Sequence, residues 1–74
     1  MKRKINLLPY YLGDGSVLLF DVDIREWLYH GKIVTGNENF LIVRVEDRFF
    51  KFLRKDKSLI SEEITEDDAL IEVL

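Results

Sequence analysis

The residues best suited to chemistry at a surface are arginines and lysines interleaved with phenylalanines between residues 40 and 55. If residues 40–45 and 48–53 pair about a turn near residues 46–48, Phe40, Arg44, Phe49 and Lys51 share one face. Arg48 then stands at the turn, with Arg54 and Lys55 at the far end. Cations neutralise phosphates and rings stack on bases, the latter worth about 1–3 kcal/mol per base, so this face has the composition of a single-stranded nucleic-acid site. The same residues also suit a second core layer, with Phe40, Phe49 and Leu53 under the terminal segment and Arg44 and Lys51 keeping their charged heads in water. The negative total charge favours that second arrangement, because nucleic-acid affinity depends on phosphate neutralisation. Phe40, Arg44, Arg48, Phe49 and Lys51 are therefore the candidate partner-binding residues, with Phe49 beside the turn as the expected anchor.

Residues 17–23, VLLFDVD, form an apolar run ending in Asp21-x-Asp23. This resembles the first motif of haloacid-dehalogenase-like phosphatases. The resemblance implies Asp21 as the nucleophile on phosphorus, Asp23 as acid and base, and magnesium to neutralise charge. It covers only that run, Arg25 stands where the family has threonine, and the remaining length cannot supply the family's fold. The alternative is a solvent-facing pair on a strand, and the expectation is no catalytic residue, no cofactor and no metal site. His30 is the only histidine, and its neighbour Gly31 points to the last turn of a helix, where a cation meets the helix dipole favourably. Ser16 and Ser58 lack a nucleophile-elbow setting. The acids Asp14, Asp21, Asp23 and Glu26, and the later Glu62, Glu63, Glu66, Asp67 and Asp68, lack the spacing or the turn glycine of a calcium loop.

At 74 residues the chain holds one domain, residues 1–74, of a size that buries only about 60% of its unfolded surface. A hydrophobic fraction of 47% beside a charged fraction of 34% marks a folded chain, not a disordered one. With no cysteine, neither disulfides nor a thiolate zinc site can staple it, so packing or a second subunit must. The longest apolar stretch, residues 17–20, is far below the roughly 20 residues that span a bilayer, and the basic N-terminus lacks a cleavable signal. These features predict a cytoplasmic protein with no membrane partner. The net charge of −3 conceals a division: residues 1–57 carry all eleven bases against eight acids, while residues 58–74 carry six acids and no base. The acidic segment 61–74 is expected to dock back on the basic body or to be solvated, and could also present acids in place of nucleic-acid phosphates to a basic partner.

Asp14-Gly15 lies between two apolar runs and suits the positive φ angles of a two-residue type I′ turn. Folding about it pairs Leu7 with Val22, Pro9 with Phe20 and Tyr11 with Leu18, and makes Ile5, Leu18, Phe20 and Ile24 part of one apolar face. Pro9 marks an edge strand or a bulge. Asp23 and Glu26 fit a capping box, predicting a short helix over residues 24–30 that stops at Gly31. A short strand follows at residues 32–35, a turn at 36–39, and then the second hairpin. A polar connection at 55–58 leads to a brief strand at 59–60. Thr65 and Asp68 fit a helix cap, with Ala69, Leu70, Val73 and Leu74 on one face, although Ala69, Ile71 and Val73 also alternate as a strand would.

The whole predicts a β-rich fold, mainly β to α+β: a small antiparallel roll or barrel of five or six short strands with one or two short helices. Two apolar strand faces exceed what one small core covers. The expected function is that of a non-catalytic accessory protein acting by macromolecular binding, through a protein partner or self-association. A nucleic-acid-binding domain and an acidic inhibitor are the alternatives.

Overall fold

β1 (Arg3–Ile5) and β2 (Leu7–Tyr11) are two halves of one strand bent at Asn6, and the bend decides the architecture. In the computed structural model, which describes residues 3–73, they are followed by β3 (Ser16–Asp21), β4 (Glu26–Gly36), β5 (Phe40–Val45), β6 (Arg48–Lys55), β7 (Ser58–Ile64) and the helix α1 (Glu66–Val73). All pairings are antiparallel, in the order β1-β7-β6-β5-β4-β3-β2. Since β1 lies on β7 and β2 on β3, the bent strand occupies both ends of the sheet. The sheet therefore curls into a partly closed roll of six strand passes with one helix, the fold class expected.

The first hairpin departs from the predicted register. Its loop has three residues, Gly13, Asp14 and Gly15, closed by Leu12 N–H donating to the Ser16 carbonyl at 3.1 Å. Gly13 and Gly15 take φ of 87° and 88°, which glycine adopts freely. The Asp14 carboxylate accepts from the Ser16 N–H and from its hydroxyl. The extra loop residue shifts the pairing by one, so Leu7 meets Asp21, Pro9 meets Leu19 and Tyr11 meets Val17. Because strand side chains alternate, Val17 and Leu19 face the core, and Leu18 and Phe20 face outward, the reverse of the expectation. Val22 and Ile24 lie in the next loop, and Ile5 pairs with Ser61.

No helix spans residues 24–30; residues 26–36 are the longest strand. Asp21, not Asp23, organises the preceding loop: its Oδ1 accepts the N–H of Asp23 at 2.9 Å and of Ile24 at 3.1 Å. Arg25, at φ 60°, turns the chain back, and its N–H donates to the Asp21 carbonyl at 2.8 Å. Pairing of Glu26–Lys32 with β3, continued by pairing of Lys32–Gly36 with β5, outweighs a helix of one or two turns, which is marginal alone. Leu28 is the extra residue of a bulge, since Leu19 pairs with Tyr29 and Phe20 with Trp27. Gly31 is not a helix cap but a point of close strand approach, and His30 is an exposed strand residue opposite Leu18.

The later elements follow the sequence more closely. Asn37 Oδ1 caps the turn before β5, accepting from Asn39 and Phe40 N–H. Val45 pairs with Arg48 across a Glu46-Asp47 loop, with Glu46 at φ 56°, and both faces of this hairpin are as predicted. A second tight loop, Asp56-Lys57, joins β6 to a β7 that runs well beyond the expected residues 59–60. Thr65 Oγ1 caps α1 through the Asp68 N–H at 3.1 Å, while Leu74 lies outside the described residues.

Inside the roll, Leu7, Val17, Leu19, Val43, Phe50 and Phe52 form the main core. Outside it, Ile42, Ile64 and Ala69 form a second cluster, on which Phe40 and Phe49 pack, so α1 covers part of the outer face of the sheet.

Candidate protein interaction surface

The rest of that outer face is uncovered. Cross-strand partners share a face, so the pairs Leu8–Phe20, Tyr10–Leu18 and Phe20–Trp27 place their side chains together outside β2, β3 and β4. Trp27 stands between two rings: its centroid is 5.0 Å from that of Phe20 at 65° and 5.9 Å from that of Tyr10 at 75°, both edge-to-face. Trp27 is 56% exposed, Tyr10 58% and Leu8 45%. With Pro9 they line a hollow of about 290 Å³. His30, Lys32 and Arg44 continue the face across β4 and β5, all exposed. Neither Lys32 nor Arg44 has an ion-pair partner among the described residues.

The five residues singled out from the sequence do not form one open site. Arg48 lies on the core side of the sheet, at the end of the roll. Its Nε and Nη2 donate to the two Glu63 carboxylate oxygens at 2.9 and 3.0 Å, and Nη1 donates to the Tyr29 hydroxyl at 2.8 Å. The guanidinium also sits 5.0 Å from the Tyr29 ring and 5.1 Å from the Phe50 ring. These bonds, the Glu63 contact above all, raise its pKa, so this charge is permanent and already neutralised. On the opposite face Lys51 Nζ is 2.5 Å from Glu72 Oε1 of α1, and Phe40 and Phe49 are half-buried beneath that helix. Of the five, Arg44 alone is exposed, and it has no ion-pair partner among the described residues.

The acidic segment is divided in use. Glu63 and Glu72 engage Arg48 and Lys51, as expected of a segment that docks back, while Glu66 and Asp67 face solvent. Asp21 is committed to its loop, and Asp23 Oδ1 accepts from Asn6 Nδ2 at 3.1 Å. Among the described residues no group of three or more His, Asp or Glu side chains is placed to hold a metal ion. No described helix is long and apolar enough to cross a membrane.

The chain matches no known protein family, no curated protein and no solved structure. The aromatic surface was hidden from sequence reasoning by the one-residue register error, which assigned Phe20 to the core face. Its signal was present: Leu8, Tyr10, Leu18 and Phe20 alternate along two adjacent strands.

Proposed function

We propose that this is a small, non-catalytic accessory protein that binds another protein through the uncovered outer face of β2, β3 and β4. The observation that carries this reading is the exposure of Trp27 between Tyr10 and Phe20, while the other part of the same face is capped by α1. Burying a large apolar side chain is worth about 1.5–3 kcal/mol, and Trp, Tyr and Arg dominate protein interface hot spots. Lys32 and Arg44 add exposed cations to the same face further along β4 and β5, beyond the Leu18–His30 pair.

The free edge of β2 suits a partner less well. Asn6 C=O and Leu12 N–H point toward β3, whereas Leu7 N–H points away from it to Ser61. By the alternation of an antiparallel ladder, the backbone groups of Leu7, Pro9 and Tyr11 face the free edge. Pro9 has no N–H to offer and the Leu7 N–H is taken, which leaves little for an added strand.

The test is capture from a cell lysate by immobilised wild type and by Trp27→Ser and Tyr10→Ser, each shown to be folded by circular dichroism. Proteins held by the wild type and lost by both variants are expected, with little change on nuclease treatment or added salt. Identical capture by the variants overturns the reading. Capture abolished by nuclease, with a steep salt dependence, replaces it with nucleic-acid binding.

A further inference from the structure

We infer that the surface fitting the aromatic face is the outward side of α1 on a second copy of this chain. The inference rests on the reading of that face as a protein-binding surface and names its occupant. α1 buries only Ala69 fully, while Leu70, Ile71 and Val73 are 53%, 69% and 50% exposed. Glu66 and Asp67 are exposed in its first turn, so the helix offers an apolar ridge with an acidic end. The aromatic face offers the counterpart: a hollow of about 290 Å³ lined by Leu8, Tyr10, Phe20 and Trp27, and further along the same face, beyond the Leu18–His30 pair, the cations Lys32 and Arg44, which have no ion-pair partner among the described residues. One contact removes both apolar surfaces from water and brings acids to bases.

The molecule already contains a contact of this kind. Its own α1 sets Ala69 against Ile42 and Ile64 on the neighbouring part of the same outer face, and pairs Glu72 with Lys51. A symmetric contact of two aromatic faces would instead bring Lys32 and Arg44 of both copies toward like charge, which is unfavourable. Since helix and face are different surfaces, the association is head-to-tail, each copy using one of each, and it builds open chains or a closed ring.

Sedimentation of the full chain over micromolar to millimolar concentrations tests this. The weight-average mass is expected to rise with concentration, and the emission of Trp27, the only tryptophan, to shift to the blue over the same range. Trp27→Ser and Ile71→Ser, both at exposed positions, should each be monomeric alone. Mixed in equal amounts they should form a dimer and nothing larger, because one intact face then meets one intact helix. Tyr10→Ser and Leu70→Ser serve as the second pair if either first variant is unfolded by circular dichroism. Lys32→Glu combined with Arg44→Glu should weaken association by about tenfold or more.

A wild type that stays monomeric throughout overturns the inference, as does a mixture of variants that stays monomeric. The broader reading fails separately: if Trp27→Ser leaves both lysate capture and the concentration dependence of the mass unchanged, the aromatic face is not a protein-binding surface. If capture is lost while the wild type is monomeric, the face binds a different protein and only the self-association falls.

Discussion

Ser61 ties Leu7 into the sheet where the strand bends: its hydroxyl accepts the Leu7 N–H at 3.1 Å and donates to the Ile5 carbonyl at 2.9 Å. The bend at Asn6 interrupts the ladder between β1 and β7, and one buried side chain replaces the missing backbone partners on either side of it. Ser61→Ala would leave the Leu7 N–H buried without an acceptor, which costs about 1–3 kcal/mol. Urea melts of the two proteins measure this, and a change below about 0.5 kcal/mol, the size of an ordinary surface effect, would show the bridge to be dispensable.

Gly31 is buried against β5. A Cβ there would stand 2.6 Å from Val43 Cγ1 and 2.8 Å from the Arg44 carbonyl oxygen. Gly31→Ala is therefore expected to destabilise by about 1–3 kcal/mol, the usual cost of overpacking. Adding Val43→Ala should not restore stability, because the carbonyl clash remains and a core methyl pair is lost. Full recovery in the double variant would place the whole strain on the Val43 side chain.

Hydrogen bonds from the Ser16 hydroxyl and N–H hold the Asp14 carboxyl below its usual pKa. A depressed folded-state pKa contributes stability that is present above the unfolded value, roughly 3.9, and is lost as pH falls through the folded one. The stability advantage of wild type over Asp14→Asn should therefore shrink as the solution is acidified below about pH 4. Thermal melts of both proteins across that range decide it; parallel curves would mean that the charge of Asp14 contributes nothing to the loop.

Phe49 packs on Ile42, Ile64 and Ala69 beneath α1 and is half-buried. Phe49→Ala is expected to lower stability by somewhat less than the roughly 3–5 kcal/mol of a fully buried ring, and to leave partner capture unchanged. Reduced capture by a variant that melts like the wild type would return the working surface to the second hairpin.

Pro9 keeps the outward edge of β2 short of a donor. Pro9→Val should restore an N–H there and raise the tendency of the protein to pair edge to edge, seen as faster growth of light scattering on incubation. Unchanged scattering would show that the edge is protected by other means.

The second hairpin was legible in the sequence because its alternation survives uncertainty in the turn. Leu41, Val43, Val45, Phe50 and Phe52 fall on one side under either candidate loop, and the structure buries all five. Short-range chemistry was legible for the same reason: the Asn37 turn, the Thr65 cap and the placement of Pro9 at an edge each depend on atoms a few residues apart or on a missing donor. The first hairpin was not, because Gly13 and Gly15 together permit a loop one residue longer than Asp14-Gly15 alone, and one residue reverses every side chain of β3. Nor was β4. Asp23 and Glu26 satisfy a capping box as well locally as Asp21 satisfies a loop, and the choice lies with the pairing of residues 26–32 with β3, extended by that of residues 32–36 with β5, which no local pattern shows. Trp27 falls within the helix expected over residues 24–30, and only the tertiary pairing of Phe20 with Trp27 makes it the centre of an exposed aromatic face.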